Sequence, residues 1–592
     1  MHLEMHYLNL CDRLGAVDLG RAVPVTVENL SEIFECTERN AKMILRKMEE
    51  QRWIDWQPGR GRGNKSNITL LSDREQRLMD LAKRHVGQGD VREAMQLVQL
   101  RGRNNEVITR FSEWLTDFFG YRKEGMSDRQ LETLRVPVNY FIGTSDPAQI
   151  YFAGDGHLVR QIFDTLAGYD YTNETLVPKL AHHWESNDAR TEWTFYLRKG
   201  VLFHHRREMD AEDVVFTFGR LRNHHIYFNI KHVAALDSKT VKFELHEPCV
   251  WFPRMAGFDS TSILPKELVL EKGEAFFDLP IGTGPFQMVK RTPALYVLDA
   301  FPLYYSGRAH LDRVELHTMP SPEDDIAYWD LSDKCSGPEH AMCSWERIRT
   351  SLACFRLLTF NFQRPGPQLH PSFRAALHRI LDREAMLAQY ADDRYSISYG
   401  FSPACEAAAA SASVHSRSDE ERSIGDLLKE SGYDGSPLIL ELTKNQASDA
   451  ELIRSLCEAY GIDVKIRLRE KSEYCGRSDM TDAHMTLKNV ILEDEELTFL
   501  DLVFSEKSCI DFHLLDDETK QIGRRYVRNM FREQSSEGRW AWIAKLSELL
   551  RESHHMLFLF KLHFESYYNP RIGGVQLNSL GLIDFRNLWF KA

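Results

Sequence analysis

Between Trp193 and Arg198 the chain alternates: Trp193, Phe195 and Leu197 are apolar, while Thr194, Tyr196 and Arg198 lie on the opposite parity. A period of two predicts a strand with one buried face. Lys199 and Gly200 turn the chain, Val201–Phe203 is a second short apolar run, and Asp210 opens a helix. Asp210 is placed to cap the first amides, Asp213 stands among the same unpaired N–H groups, and Val214, Phe216, Phe218 and Leu221 supply apolar surface. The same alternation marks a strand at Val241, Phe243 and Leu245, while Leu158, Ile162, Phe163 and Leu166 mark a helix. A strand is expected from Cys354 to Phe362, and Leu438–Leu442, Asp449–Tyr460 and Gly461–Ile466 read as strand, helix and strand. Met556–Phe560 reads as a short buried strand.

The front of the chain has a different rhythm. Leu3, Tyr7, Leu10 and Leu14 recur at helical spacing, giving an amphipathic helix over Met1–Leu14. Thr26 caps a short helix ending near Phe34, and Thr37 caps a second that runs to about Glu50. In the second helix Ala41, Ile44, Leu45 and Met48 form the buried stripe, with Arg39, Asn40, Lys42, Arg46 and Lys47 off it. Two strands, Trp53–Trp56 and Ser66–Leu70, flank a glycine-rich loop carrying Arg60, Arg62 and Lys65. Helix, turn, helix and basic hairpin together are the layout of a winged helix. Its second helix is expected in the major groove of double-stranded DNA, and the loop cations are expected on phosphates or in the minor groove. From Ser72 to about Arg135 the pattern predicts a helical connector punctuated by Gly87, Gly89 and Gly102, which offers a surface for a homodimer.

Charge sharpens that reading. Residues 39–65 hold eight Lys or Arg against three acids, a net of +5, whereas the 592-residue chain totals −13, so the remainder sums to −18. One basic patch on an acidic protein is an electrostatic footprint for DNA. Ten cysteines are scattered without a CxxC or zinc-type spacing, so reduced thiols and no bound metal or cofactor are expected. Adjacent histidines (His182/His183, His204/His205, His224/His225, His554/His555) point apart on strand or helix and chelate poorly. No nucleophile elbow, HExxH, phosphate loop or dinucleotide fingerprint is present, so no catalytic residue is assigned and an enzyme is not expected. No apolar run reaches the length of a membrane span.

Several segments resemble the solute-binding proteins of the oligopeptide and dipeptide type. They are Val177–Trp184, Thr191–Leu221, Ile281–Phe286, and Thr359–Phe362 with Pro371–Leu377 and Ile380–Arg383, in the same order as in that family. One departure bears on turn geometry: Arg206 stands where the family usually has glycine. The resemblance implies a two-lobed, periplasmic-binding-protein-like (type II) body with a solute cleft. Tyr169, Trp251 and Thr283 are candidate cleft residues. Glu493 and Asp494 belong to a solvated acidic loop or supply a cleft acid, since related peptide binders hold a ligand amine with an acid of the second lobe. The Ile281–Phe286 turn is either a fixed point beside the cleft or simply a tight structural turn.

Exported binding proteins begin with a basic segment, an apolar run and a cleavage site. Met1–Leu14 lacks that order, so a cytoplasmic protein is expected. A winged helix ahead of such a body resembles the SgrR-type transcription regulators. Gly59–Arg62 with Lys65, His182–Trp184, Phe203–His205, Asn578–Phe585 and Trp589–Phe590 carry that likeness. The expected fold class is therefore multidomain, mixed α+β and α/β. Its parts are a winged helix (1–71), a helical connector (72–133) and a solute-binding body (134–592), with lobe I at about 134–350 and 560–592 and lobe II at about 351–559. The implied function is a ligand-responsive regulator whose small effector is a sugar, sugar phosphate or peptide. The alternative is a solute-binding protein serving an ABC transporter.

Overall fold

The computed structural model describes the chain except residues 1–2, 16, 60–64, 104, 125–130, 139–141, 171–172, 174, 225–226, 320–345, 390–394, 403–404, 407–421, 471–472, 474–480, 493–498, 500–502, 505–509, 569, 578–581 and 592. It divides into two compact units, one of Met1–Asn139, Lys290–Val297 and Val314–Ser336, the other of the remaining chain.

The first unit begins α1 (Leu3–Leu14), β1 (Ala22–Val25), α2 (Val27–Ile33), α3 (Glu38–Glu50), β2 (Ile54–Gln57) and β3 (Ser66–Leu70). β3 lies between β1 and β2, antiparallel to both. Thr26 Oγ1 accepts the Asn29 amide at 3.2 Å, and Thr37 Oγ1 accepts the Asn40 amide at 3.4 Å, so each threonine starts its helix as expected. Leu30, Phe34, Ala41, Leu45, Met48, Ile54 and Ile68 close one core with Tyr7, Leu10 and Cys11 of α1.

Three helices follow: α4 (Arg74–Gln88), α5 (Val91–Arg101) and α6 (Asn105–Phe118). The connector is helical only this far. β4 (Gly120–Glu124) and β5 (Leu131–Val138) form an antiparallel pair where the sequence pattern suggested more helix. The reason lies in tertiary pairing. β4 and β5 extend a five-stranded sheet in the order Phe286–Arg291, Leu295–Ala300, Arg313–Thr318, β5, β4. Arg135 of β5 pairs with Glu315 at 2.9 Å and lies 4.4 Å over the Phe118 ring, fixing the end of α6. Phe118 and Phe119 both pack edge-on against buried His317. α4 ends at Gly89, whose φ of +102° favours glycine; a Cβ there would stand 2.5 Å from Leu295 Cβ.

In the second unit, Glu192–Leu197 pairs with Ala181–Ser186 and with Thr240–Leu245, which pairs with Ile230–Asp237. Trp193, Phe195, Leu197 and Phe243 meet Val214 and Phe218 of the helix Ala211–Arg220 in one core. Asp210 and Asp213 cap that helix reciprocally: Asp210 accepts the Glu212 amide at 2.9 Å, and Asp213 accepts the Asp210 amide at 3.0 Å. Arg206 has a φ of +72°, the left-handed region in which glycine is at ease. The departure is thus tolerated rather than avoided.

A six-stranded sheet has the order Tyr395–Ile397, Met556–Tyr568, Glu346–Phe360, Met485–Leu492, Leu438–Leu442, Val464–Leu468. Its last two strands are parallel and joined by the helix Ala447–Glu458, the expected strand–helix–strand unit. Its two long central strands are antiparallel, and Met556–Tyr568 has 13 residues, far longer than the short strand its apolar start suggested.

The Ile281–Phe286 turn is locked from two sides. His204 lies between its glycines: the Gly282 N–H donates to Nδ1 at 3.2 Å, and Nε2 lies 3.0 Å from the Gly284 carbonyl. Gly284 N–H donates to the Ile162 carbonyl at 2.8 Å. A Cβ on Gly282 would stand 2.0 Å from that carbonyl oxygen, closer than any real contact. Gly282→Ala should therefore destabilise the body by about 3 kcal/mol, read as a lower thermal midpoint. Gly307→Ala, at φ +99° but with no atom within 4 Å, should cost less.

Candidate nucleic-acid interface and solute-binding site

α3 is set so that one side is core and the other is water. At about 100° per residue, Ala41, Ile44, Leu45 and Met48 fall on one side, and all four are buried. Arg39, Asn40, Lys42, Met43, Arg46 and Lys47 occupy the opposite arc, and all are exposed. Arg46 pairs with Glu50 at 3.3 Å. Both side chains are largely in solvent, so this pair holds Arg46 only weakly.

The wing strands are present, and Gly59 N–H donates to Ser66 Oγ at 3.1 Å where the loop leaves the sheet. Lys65 is exposed at the start of β3. Arg60 and Arg62 lie outside the described residues. The structure thus brings Arg39, Asn40, Lys42, Arg46 and Lys47 onto one surface. Such a face suits the major groove: cations for phosphate and guanine, an amide for adenine.

The expected cleft residues are treated differently. Tyr169 and Trp251 come together through a residue the sequence reading missed. The Arg254 guanidinium lies 3.6 Å from the Tyr169 ring centre and 5.1 Å from that of Trp251. A second arginine, Arg539, lies 3.1 Å from the Trp251 ring centre. Rings and guanidinium groups share their faces in this column, in the way cation–π contacts favour. Arg254 and Arg539 are each 5% exposed. The Trp251 indole N–H donates to the Glu533 carbonyl at 3.0 Å, and Arg539 Nη1 donates to the Gln534 carbonyl at 2.9 Å.

Trp251 is therefore seated in a socket of the protein's own groups and presents no open ring to a solute. Thr283 does not belong with it. It is fully buried inside the glycine turn. Glu493 and Asp494 lie outside the described residues. Arg254 had a signal, its spacing three residues after Trp251 on one helical turn; Arg539, 288 positions away, had none.

No group of three or more His, Cys, Asp or Glu suited to a metal ion occurs among the described residues. Six cysteines are free among them, and burial pushes the Cys249, Cys354 and Cys457 thiols up to about 12. No helix is long and apolar enough to cross a membrane, among the described residues.

The Trp251 socket has a measurable weight. Trp251→Phe keeps an aromatic face but removes the indole hydrogen bond, leaving the Glu533 carbonyl only the longer 3.4 Å contact from Arg539 Nη1, and should cost about 1 kcal/mol. Trp251→Ala removes the ring between two guanidinium groups and should cost about 3–5 kcal/mol. Urea unfolding of the full chain, followed by circular dichroism, reads both.

Comparison with known proteins agrees with this layout. Residues 2–115 match the family described as Sugar transport-related sRNA regulator N-term, and residues 175–335 match Bacterial extracellular solute-binding proteins, family 5 Middle. An uncharacterised Bacillus subtilis protein, YhjP, is 28% identical over 614 residues, covering 100% of both chains. The HTH-type transcriptional regulator SgrR of Yersinia pestis is 26% identical over 604 residues, covering 99% of this chain and 98% of that one. Among solved structures, the ABC transporter-associated periplasmic binding protein DppA from Helicobacter pylori, in complex with peptide STSA, superposes with a TM-score of 0.65 at 19% identity. It covers 78% of this chain and 98% of its own, which shows a family 5, type II solute-binding fold here. The chain thus carries an SgrR-type N-terminal domain followed by a family 5 solute-binding domain, and it is similar end to end to the SgrR transcription regulators.

Proposed function

We propose that this protein is a ligand-responsive transcription regulator that binds operator DNA through α3 and its wing and senses a small solute in its C-terminal domain. The observation that carries this reading is the exposed arc of Arg39, Asn40, Lys42, Arg46 and Lys47 on a helix whose other face is core. The likeness to a transporter-associated protein bears on the body's fold and does not extend to the winged helix. DNA as partner puts the protein in the cytoplasm. Two copies on a two-fold operator would double an otherwise small set of phosphate contacts. Regulation needs no catalytic step, and the roles assigned to this chain's residues are binding roles only.

The solute acts by population shift. Whatever it is, sugar, sugar phosphate or peptide, it changes DNA binding only through its differential affinity for two arrangements of the body, at about 1.4 kcal/mol for each tenfold preference. The chain path supports a route for this. The strand Phe286–Arg291 begins at the glycine turn, and the hairpin after it places Leu295 against Gly89 at the end of α4.

Duplex DNA from upstream of the protein's own gene should be retarded in a gel shift by the full chain, with affinity falling steeply as salt rises. Arg39→Ala with Lys42→Ala should weaken binding across sequences and reduce the slope of log K against log salt by about 0.9 per lost phosphate contact. Arg60→Ala with Arg62→Ala tests the wing in the same way. Unchanged affinity and slope in both double variants would overturn the assignment of α3 and wing as the DNA surface.

A further inference from the structure

The solvent arc of α3 contains one residue that solubility does not explain. Its nine exposed residues are Glu38, Arg39, Asn40, Lys42, Met43, Arg46, Lys47, Glu49 and Glu50, and all but Met43 are charged or amide-bearing. Met43 is 51% exposed. It stands about 150° round the helix from the centre of the buried stripe. Arg39 lies one turn before it and Arg46 and Lys47 one turn after, so Met43 is the apolar centre of a polar face. Single exposed apolar side chains are ordinary on a surface. The placement is the informative part: a duplex that took α3 into its major groove would bring base edges to Met43.

A major groove offers an unbranched thioether one complementary apolar group, the C5-methyl of thymine. Apart from small C–H edges, the other features on its floor are hydrogen-bond donors and acceptors. Met has three rotatable bonds beyond the backbone and a polarisable sulfur, so it settles against such a methyl without demanding one geometry. A cytosine in that place offers only a C5–H where the methyl would stand, with its amino group in the position of the thymine carbonyl beside it.

We infer that Met43 is a specificity-determining residue that reads the methyl group of a thymine in the operator, while Arg39, Lys42, Arg46 and Lys47 supply position and charge. The inference rests on the proposed DNA-binding role, and its test separates the two. Duplexes bound by the full wild-type chain are first selected from a randomised pool. The winning duplex is then made with each thymine in turn replaced by deoxyuridine, which removes the methyl and keeps every hydrogen-bonding group.

At one thymine per half-site, the replacement should weaken wild-type binding about fourfold, the weight of one buried methyl group. Met43→Ala should bind the thymine and uracil duplexes alike, with its salt slope unchanged. Met43→Leu, which keeps an apolar side chain, should restore discrimination. Met43 is half in solvent, so circular dichroism should show all three chains equally folded. If Met43→Ala discriminates as wild type does, or wild type shows no uracil effect at any thymine, the inference is overturned while DNA binding stands. If the wild-type chain selects no duplex from the pool, both fall.

Discussion

The first unit depends on the two-faced packing of α1. Successive residues of a helix point about 100° apart, so one short helix can present two separate apolar sides. Tyr7, Leu10 and Cys11 lie on one side and complete the winged-helix core with Leu30, Leu45 and Trp53. Leu8 lies on the other and enters the core of α4, α5 and α6 with Leu78, Val91 and Phe111, and Met5 packs beside it. Asp12 follows Leu8 by one turn on that second side. There it meets Arg74 at 2.7 Å, Arg103 at 3.1 Å and Arg101 at 3.2 Å. Tyr7 also donates its hydroxyl hydrogen to the Ser72 carbonyl at 2.5 Å, at the junction of wing and connector. A winged helix standing free as residues 1–71 would leave Leu8 in water. α3 and the connector helices therefore belong to one compact unit, and α3 inherits its setting from both cores.

In the second unit the corresponding constraint is a histidine held neutral. With Gly282 N–H donating to Nδ1, the proton of His204 resides on Nε2 and is donated to the Gly284 carbonyl. A second proton would take away the acceptor that Gly282 needs. Burial acts in the same direction and lowers the pKa of His204 to about 4. Relative to an unfolded histidine near 6.5, the folded state resists protonation, so this group's contribution is intact above about pH 6.5 and declines as pH falls toward 4. The glycines on either side of Thr283 are required because the Ile162 backbone leaves no room for a Cβ. Close backbone approach is what these two glycines encode.

Elements with strong local signals were legible in the chain itself. Thr26, Thr37 and Asp210 each cap the helix that composition and period assigned to them, because a cap is decided within three residues. The alternation at Trp193–Leu197 gave the strand and its buried face for the same reason. What failed was non-local. β4 and β5 owe their conformation to strands more than 150 residues away, and nothing in residues 120–138 announces that partner. The length of Met556–Tyr568 is set by pairing along Glu346–Phe360, not by its own apolar start. On the exposed side of α3, the cations were found by charge, whereas Met43 was invisible to a search for charge. In the body, Trp251 and Tyr169 were found as aromatics, but the arginines that occupy their faces come from chemistry the sequence does not pair.

Charge distribution decides how such a DNA surface must work. Outside residues 39–65 the chain carries a net charge of −18, which on balance repels a polyanion. The attractive patch is small: a few exposed cations on α3, Arg52 just after it, and the basic loop. Affinity from counterion release scales with the number of phosphates neutralised, so a small patch yields modest and strongly salt-dependent binding to DNA of any sequence. A protein in that position cannot rely on phosphate contacts to stay on its site. On the proposed DNA-binding role, short-range contacts of α3 with base edges would then supply a larger share of the binding free energy than in a basic protein. An acidic body would then act as discrimination by repulsion: it would lower the background of unspecific binding and leave the outcome to side chains that touch bases.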